Sequence, residues 1–534
     1  MQHSRKSCNG MVVAPHHLAA EAGSRVLADG GNAVEAIVAA AAAIVVVYPH
    51  MNSLGGDNFW IIHEPGAEPV GIDACGAAGS KANISRFQAA GHSAIPGRGP
   101  DAALTVAGAV SGWQMALQHS AGWGAALPLS RLFEDAIYHA DNGVPVTATL
   151  ANNASTKLAE LADIPGFSDA YLADGVPPVT GQVHKQAALA QTLTELASNG
   201  LDSFYTGALS RKIIDELTAA GSPLVASDLA NHEALRVRLL SLEIEGHKLY
   251  NMPPPTQGLA SLMLLGIYAR LNNSSIDDFD YIHGLIESTK QSFRIRDKYL
   301  SDPAYMRKDA AGFLNETFLD ELAAGVNKSI AQPWPDAVPG GDTVWLGAID
   351  SDGRSVSFIQ SIYWEFGSGV ILPSTGITWQ NRGTSFSLDE NHHNCLKPGR
   401  KPFHTIQPAL AILNDGRVMP YGTMGGEGQP QTQAMLFSRY VLGGCDLQQS
   451  ITAPRWLLGK TWGSDVTNLR IENRFAPQVY DQLKTAGHDV EVIGDFDEVM
   501  GHAGALVRHP NGLIEGASDP RSDGAASVVA RFLQ

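Results

Sequence analysis

A threonine that could act as a nucleophile stands where a Pro/Gly-rich segment gives way to an apolar, strand-like run. The segment is Pro339 to Asp342, and the run is Val344 to Ile349. If the peptide bond before Thr343 were cut, this residue would carry a hydroxyl and a free amine, which together form a nucleophile and its base. The competing interpretation is an ordinary threonine that opens an ordinary strand, and these residues alone favour it.

The strand after Thr343 is predicted to turn back and bring a serine beside it. Asp350-Ser351-Asp352-Gly353 has the composition of a hairpin turn, and Ser355 to Tyr363 that of the partner strand. A two-residue loop would put Thr343 opposite Gln360, and a three-residue loop would put it opposite Ser361. In both cases Ser361 lies close enough to orient the Thr343 hydroxyl or amine. The alternative for Ser361 is a small polar residue that only fills a strand.

Thr343 could first act on its own chain. Its hydroxyl would attack the carbonyl carbon of Asp342, an N-to-O acyl shift would give an ester, and water would then release a new N-terminus. Gly340 and Gly341 permit the strained geometry that this step needs. The freed amine has a reference pKa of about 7.7 to 8 and can serve as a general base near neutral pH. The sequence therefore offers a cleavage site between Asp342 and Thr343.

Acyl transfer also needs hydrogen-bond donors for the oxyanion, and a glycine pair could supply them. Gly425 and Gly426 precede a predicted helix, Thr432 to Leu442. Successive backbone N–H groups at such a place can point into one cavity, with the helix dipole behind them. A glycine pair before a helix is by itself a weak signal.

The composition is that of a globular protein without a surface for nucleic acid or an anionic membrane. The 534 residues are 44% hydrophobic and 17% charged, and the net charge is -17. Four cysteines are scattered without ligand spacing, so we predict neither a disulfide framework nor a metal site, and we predict no cofactor. The longest apolar run, Ala36 to Tyr48, is too short for a membrane span. With no secretory signal visible, we predict a cytoplasmic location.

The chain divides at residues 325 to 342, a Pro/Gly-rich segment that we predict to be a mobile linker. Helical patterns dominate before it, and they include a buried helix that Pro49 ends. Strand patterns dominate after it. Strands buried on both faces, with helices before and after them, predict an α+β fold of four layers: helix, sheet, sheet and helix.

Eight segments together give the chain a resemblance to the gamma-glutamyltransferase family of N-terminal-nucleophile hydrolases. In chain order they are Gly10-Met11-Val12, Gly30-Gly31-Asn32-Ala33-Val34, Leu54-Gly55-Gly56, Pro253-Pro254-Pro255-Thr256-Gln257-Gly258, Asp342-Thr343, Phe366-Gly367-Ser368-Gly369, Gly425-Gly426 and Gly516-Ala517-Ser518-Asp519-Pro520-Arg521. The resemblance implies a self-cleaving proenzyme with a large chain, residues 1 to 342, and a small chain, residues 343 to 534. It implies that both chains fold as one intertwined αββα sandwich. The two chains would form a heterodimer, which could pair into a dimer of heterodimers.

The substrate pocket departs from the family pattern. Where the family holds the ammonium of a gamma-glutamyl group, this chain has Tyr363 and Arg382. A guanidinium within about 4 Å of that ammonium would cost about 4 kcal/mol at an effective dielectric of 20. The family's paired serines correspond to His404 and Thr405, which like Arg382 suit a carboxylate. Tyr363 and Trp364 would shrink the pocket. These five residues are therefore predicted to bind a small acid amide, although a structural ion pair is the alternative for Arg382.

Three segments are most similar to the family's branch of oxamate amidohydrolases, which the resemblance associates with purine and ureide breakdown. They are Val47 to Trp60, Pro373 to Gly376 and Gln380 to Gly383. We therefore predict hydrolysis of oxamate to oxalate and ammonia through an oxalyl ester on Thr343. Three alternatives stay open: a glutathione hydrolase or gamma-glutamyltransferase, an acylase for larger groups such as glutaryl side chains, and a binding protein in which Thr343 never becomes a terminus.

Overall fold

The computed structural model describes residues 3–124, 126–273, 275–334, 342–459 and 466–529. The strands in these ranges are β1 (Arg5–Ser7), β2 (Gly10–Ala14), β3 (Asp57–His63), β4 (Val70–Ala74), β5 (Val144–Pro145), β6 (Val183–His184), β7 (Leu235–Val237), β8 (Leu240–Ile244), β9 (His247–Asn251), β10 (Asp342–Asp350), β11 (Ser355–Tyr363), β12 (Ile371–Leu372), β13 (Ile377–Thr378), β14 (Ala409–Ile412), β15 (Val418–Thr423), β16 (Trp456–Leu458), β17 (Leu469–Glu472), β18 (Val490–Ile493), β19 (Ala503–Arg508), β20 (Ile514–Ser518) and β21 (Ala525–Val528).

The α-helices are α1 (His17–Ala28), α2 (Ala33–Val47), α3 (Ile84–Ala89), α4 (Ala109–Ser120), α5 (Leu129–Leu132), α6 (Glu134–Asn142), α7 (Ala148–Thr156), α8 (Leu158–Leu161), α9 (Phe167–Tyr171), α10 (Ala187–Asn199), α11 (Ala208–Ala220), α12 (Ala226–Ala230), α13 (Gly258–Ala269), α14 (Phe279–Tyr299), α15 (Glu316–Ala324), α16 (Gln429–Phe437), α17 (Leu447–Thr452) and α18 (Pro477–Ala486). The helix predicted from Thr432 begins three residues earlier, and its last part, Ser438–Leu442, is a π-helix.

Two large sheets lie face to face between layers of helices. One sheet has the strand order β21-β2-β10-β11-β3-β4-β7, and the other has the order β1-β20-β19-β15-β14-β9-β8. Apolar side chains of α1 and α2 pack on the outer face of the first sheet, and those of α13, α14 and α16 pack on the outer face of the second. A third cluster, which includes Trp345 and Leu506, fills the space between the sheets. This arrangement is the predicted four-layer αββα sandwich.

The hairpin of β10 and β11 has the register predicted for a three-residue loop. Val344 pairs with Gln360 and Trp345 pairs with Ile359. The register shifts between Asp342 and Val344, and at this irregularity Thr343 lies beside Ser361, with 3.4 Å between their hydroxyl oxygens. Val344 packs among the helices, whereas Trp345 packs between the sheets. Because neighbouring side chains of a strand point to opposite faces, Thr343 faces the space between the sheets.

Strands from both sides of Thr343 alternate within each sheet. In the first sheet, β10 and β11 lie between β2 and β3, which come from the part of the chain before residue 342. In the second sheet, β1, β8 and β9 come from that earlier part, and the strands between them follow Thr343. Neither part can therefore complete a sheet without the other.

The first part of the predicted linker is irregular but attached to the rest of the protein. Lys290 Nζ donates to the backbone oxygen of Gln332 at 2.7 Å, and Ala331 N donates to the backbone oxygen of Ala486 at 2.7 Å. Residues 335–341 lie outside the described residues, so the mobility of the linker stays a prediction. No helix in the described part of the chain is both long and apolar enough to cross a membrane.

Candidate active site

The side chains of Ser361 and Gln429 contact the hydroxyl of Thr343, a residue that is only 1% exposed. Thr343 Oγ1 donates to Ser361 Oγ at 3.4 Å, and Gln429 Nε2 donates to Thr343 Oγ1 at 3.4 Å. Ser361 Oγ also accepts the backbone N–H of Tyr363 at 2.8 Å. Because that bond fixes the serine, Ser361 can hold the Thr343 hydroxyl in one orientation.

The turn that carries the glycine pair is fixed to the candidate substrate pocket. Gly426–Gly428 forms a 3-10 turn that leads directly into α16, whose first residue is Gln429. Gln257 Nε2 donates to the backbone oxygens of Gly426 and Thr405. The buried Arg296 in turn donates to Gln257 Oε1 at 3.0 Å. The predicted oxyanion donors, the nucleophile and the pocket thus belong to one connected structure.

We expect replacement of Gln429 by alanine to slow catalysis with little effect on substrate affinity. The change removes a hydrogen bond to Thr343 Oγ1 and leaves the backbone N–H of Gln407 without its acceptor, Gln429 Oε1. A loss of about 1 to 2 kcal/mol corresponds to about a tenfold lower kcat. Steady-state kinetics with Gln429→Ala measure this.

The matched control for that measurement is Gln431→Ala, on the same helix. The Gln431 side chain donates to the backbone oxygens of Leu458 and Glu427 and accepts the backbone N–H of Leu458. We expect its kcat to stay within about threefold of the parent value. Equal losses of kcat in the two variants would show that Gln429 has no special effect on Thr343.

Arg382 lies in the pocket as a buried guanidinium without an ion pair. Its Nη1 donates to Thr405 Oγ1 at 3.2 Å, and its Cζ lies 3.8 Å from the centre of the Tyr363 ring. Its Nη2 has no hydrogen-bond partner among the described residues, and no described carboxylate lies within 4 Å of the group. A candidate partner for the alternative of a structural ion pair is the buried carboxyl of Asp57, which acts on Arg382 electrostatically but does not lie within 4 Å of it. Burial lowers the pKa of Arg382 to about 10, so the guanidinium stays charged at neutral pH.

His404 adds two further buried nitrogen atoms that lack protein partners. Neither Nδ1 nor Nε2 has a hydrogen-bond partner among the described residues, and the side chain is fully buried. Burial, helped by the charges of Arg382 and Lys401, lowers the pKa of His404 well below its usual value, so the imidazole is neutral. Buried polar atoms are normally satisfied by protein, water or a ligand. A bound ligand is therefore a natural partner for Arg382 and His404.

Trp364 forms a fixed wall beside Arg382. Its backbone N–H donates to Asn381 Oδ1 at 3.1 Å, and Asn381 Nδ2 donates to the backbone oxygen of Gly97. A Cβ at Gly97 would lie 2.1 Å from the Trp364 ring, so only glycine allows the indole to pack here. Arg98 lies over the same ring at 5.4 Å and bonds the backbone oxygens of Glu365 and Gly367. These contacts hold the Trp364 ring in place next to the Tyr363 ring, with 6.0 Å between their centres.

One group of three described residues has the side chains and spacing to hold a metal ion. His283, Glu287 and His488 bring three ligand atoms within 4.8 Å of one another. However, His283 Nδ1 and His488 Nε2 are hydrogen-bonded at 2.8 Å, and Glu287 Oε1 accepts from Lys290 Nζ at 2.7 Å. Because these groups already satisfy one another, we assign the cluster to a polar network and not to a metal.

Sequence reasoning missed three residues that the structure places in this site. Gln257 lies in the Pro-rich segment that carried the family resemblance, Gln429 opens α16, and Asp57 follows Gly55-Gly56 at the start of β3. The signal available in the sequence was that each is a polar residue next to, or close to, glycine or proline. Their roles depend on partners that are far away along the chain.

The fold and the site define the class of this protein. It has two sheets stacked between helical layers and a threonine that faces the space between the sheets at the start of an interior strand. These are the features of an N-terminal-nucleophile hydrolase, a class of amide hydrolases. The sequence profile described as Gamma-glutamyltranspeptidase matches residues 19–529. The chain therefore belongs to the gamma-glutamyltranspeptidase family.

The chain is similar over nearly its whole length to proteins with different names within that family. It is 54% identical to the oxamate amidohydrolase proenzyme of Klebsiella pneumoniae, over 99% of this chain and 100% of the relative. It is 40% identical to the glutathione hydrolase-like YwrD proenzyme of Bacillus subtilis, over 97% of this chain and 98% of that relative. Among solved structures, the cephalosporin acylase from Bacillus halodurans superposes with a TM-score of 0.90 at 32% identity. The superposition covers 100% of this chain and 98% of the acylase chain.

Proposed function

We propose that the protein is a self-processing N-terminal threonine amidohydrolase that converts oxamate to oxalate and ammonia. The observation that carries the substrate class is the buried Arg382 guanidinium, whose Nη2 has no hydrogen-bond partner among the described residues and which no described carboxylate approaches within 4 Å. A substrate carboxylate satisfies that group, whereas a substrate ammonium would be repelled by it. The 54% identity to an oxamate amidohydrolase proenzyme supports oxamate as the particular acid amide.

The proposed first reaction is cleavage of the chain before Thr343. The Thr343 hydroxyl attacks the carbonyl carbon of Asp342, the bond from that carbon to the Thr343 nitrogen breaks, and an ester forms. Water then hydrolyses the ester, which leaves a carboxylate on Asp342 and a free amine on Thr343. Strands from both parts alternate in both sheets, and this supports a heterodimer that stays together after cleavage. A dimer of heterodimers stays a prediction.

The proposed second reaction uses the new amine as the base. The amine takes the proton of the Thr343 hydroxyl, the oxygen attacks the amide carbon of oxamate, and Gly425 and Gly426 donate N–H groups to the oxyanion. The C–N bond then breaks, the amine passes its proton to the leaving nitrogen, and ammonia departs from an oxalyl ester. Water attacks that ester with the amine as base, and oxalate leaves as the hydroxyl is restored.

The test is ammonia release from oxamate by processed protein, measured beside turnover of a gamma-glutamyl anilide. We expect oxamate to be hydrolysed and the anilide to be left unchanged, because Arg382 opposes its ammonium. Consumption of the anilide alone would contradict the proposal and would indicate the glutathione hydrolase alternative.

A second candidate, an acylase for larger acyl groups, is favoured by the likeness to the cephalosporin acylase. The Trp364 wall opposes it, since Gly97 and Arg98 hold the indole against the pocket. We expect Trp364→Ala to raise the ratio of kcat/KM for a glutaryl amide to that for oxamate by about tenfold or more, as a wider pocket admits the longer chain.

The control for that variant is Trp123→Ala, which removes a partly buried indole whose Nε1 donates to Glu64. We expect it to leave the ratio unchanged. Efficient turnover of the glutaryl amide by the parent protein would instead favour the acylase.

A further inference from the structure

Asp57 lies in the same row of side chains as the predicted nucleophile. Asp57 on β3 pairs with Ser361 on β11, and Ser361 lies beside Thr343 on β10. In an antiparallel sheet, side chains of directly paired residues project from the same face. Asp57 therefore faces the space between the sheets, two strands away from Thr343.

One oxygen of Asp57 is fixed and the other is directed to the pocket. Asp57 Oδ1 accepts the backbone N–H groups of Gly76 at 2.9 Å and Gly108 at 3.0 Å. Asp57 Oδ2 has no partner of good hydrogen-bond geometry among the described residues, although the Gln380 side chain lies near enough to lower the pKa of the carboxyl, and it lies 3.6 Å from His404 Nε2. The carboxyl is 1% exposed. The two glycine contacts hold the group so that only Oδ2 can interact with the pocket.

The charge of the pocket depends on this carboxyl. The ionisable groups that influence Asp57 or are influenced by it are Arg382, His404, Cys75 and Tyr205. His404 is neutral, and burial raises the pKa of both the Cys75 thiol and the Tyr205 hydroxyl, so these groups are also neutral at pH 7. Lys401 also acts on His404, but it is paired with Asp73 at 2.7 Å. Arg382 thus supplies the positive charge that is free of such a pair, and an ionised Asp57 would compete with a bound anion for Arg382.

We propose that Asp57 is a positioning residue of the acid pocket, which binds a substrate carboxylate when Asp57 is protonated at Oδ2. The proposal rests on the proposed hydrolysis of an acid amide. The Asp57 proton is donated to His404 Nε2, which makes Nδ1 the protonated nitrogen of the neutral imidazole. His404 Nδ1–H and Arg382 Nη2 then donate to the substrate carboxylate, and each buried atom gains a partner.

This arrangement predicts a particular dependence of activity on pH. Burial raises the pKa of Asp57 to about 7, against the N–H groups of Gly76 and Gly108 and the charge of Arg382, which lower it. The binding-competent protonated form is therefore present below about pH 7 and is lost as the pH rises through that value. The Thr343 amine has the opposite effect on activity as the pH rises, because it must lose its proton to act as a base.

The test is the pH profile of kcat/KM for oxamate, from pH 5.5 to 9.5, with processed enzyme. We expect a bell-shaped profile for the parent protein, in which kcat/KM falls by about tenfold per pH unit on the alkaline side. Asp57→Asn keeps the contacts at Oδ1 and mimics the protonated carboxyl. We expect this variant to lose the alkaline fall, to retain the acidic limb and to exceed the parent by about thirtyfold at pH 8.5, which is about 1.5 units above the pKa of Asp57. An unchanged alkaline fall in Asp57→Asn would overturn the proposal.

Asp73→Asn is the matched control, since Asp73 is a buried carboxylate on the neighbouring strand β4 that pairs with Lys401. We expect kcat/KM of Asp73→Asn to fall at alkaline pH as it does in the parent protein. Loss of this fall in Asp73→Asn as well as in Asp57→Asn would overturn the proposal. A gel that shows cleavage before Thr343 confirms that each variant is folded.

Calorimetric binding of oxalate to the processed parent protein, in two buffers of different ionisation enthalpy, gives a test that needs neither turnover nor a variant. We expect uptake of about one proton per oxalate at pH 8.5 and less at pH 6. Equal proton uptake at both pH values, or no oxalate binding at either, would overturn the proposal. Lack of oxamate hydrolysis together with the expected proton uptake would contradict the proposed function alone.

Discussion

Thr343→Ala protein is expected to remain a single chain of 56.6 kDa and to release no ammonia from oxamate. The variant lacks the hydroxyl that attacks the Asp342 carbonyl and the hydroxyl that attacks the substrate. Loss of a nucleophile lowers kcat by about 10⁴-fold or more in comparable enzymes. The bonds from Thr343 Oγ1 to Ser361 and Gln429 are long, at 3.4 Å, so their loss should hardly affect folding. Intact mass and an ammonia assay measure the two effects.

Thr343→Ser is the matched control, because it keeps a hydroxyl on the same carbon and removes only a methyl group. We expect it to be cleaved before residue 343 and to retain activity at a reduced rate. Cleavage of the Thr343→Ala chain at the same bond would contradict the assignment and place the nucleophile elsewhere.

Arg382→Ala is expected to raise KM for oxamate by about 10² to 10³-fold while the chain is still cleaved before Thr343. An ion pair at about 4 Å and an effective dielectric of 20 is worth about 4 kcal/mol, and each 1.36 kcal/mol corresponds to a factor of ten. The charge of Arg382 lowers the pKa of the nearby Asp57, so its removal raises that pKa further and leaves the Asp57 carboxyl protonated and uncharged at pH 6.5. Steady-state kinetics at pH 6.5 measure KM and kcat separately.

Two further variants complete that experiment. Arg382→Lys keeps the charge but loses the planar pair of donors, and we expect an intermediate KM. Thr384→Ala changes the same 3-10 turn at a side chain that bonds only the backbone oxygen of Asn381, and we expect KM within about threefold of the parent. A KM for Arg382→Ala equal to that of Thr384→Ala would contradict the role of Arg382 in binding a carboxylate.

The parts of the fold that follow from local patterns could be predicted from the sequence. The sequence predicted a buried helix that Pro49 ends, and α2 is that helix; in the structure Asn32 caps its start and forms a capping box with Glu35. The β10–β11 hairpin followed from a turn segment between two apolar runs. Two loop lengths remained open there, because the side chains of the turn fit both, and only the register of the folded sheet distinguishes them.

The polar contacts of the site could not be predicted in the same way. Gln429 contacts Thr343 across 86 residues of chain. Asp57 depends on the backbone of Gly76 and Gly108 and on a histidine more than 300 residues away. These contacts arise only when two sheets stack. Arg382 was found because its charge conflicts with the family's ammonium pocket, which is a property of one residue type and needs no geometry.

The most direct test of the central claim is one time course in which the fraction of chain cleaved before Thr343 and the rate of ammonia release from oxamate are measured together. Intact mass spectrometry supplies the cleaved fraction, and the small chain should begin at Thr343. We predict that the rate of ammonia release rises in proportion to that fraction and is absent from uncleaved protein. Oxamate hydrolysis by the uncleaved 56.6 kDa chain, or fully cleaved protein that leaves oxamate untouched, would contradict the account.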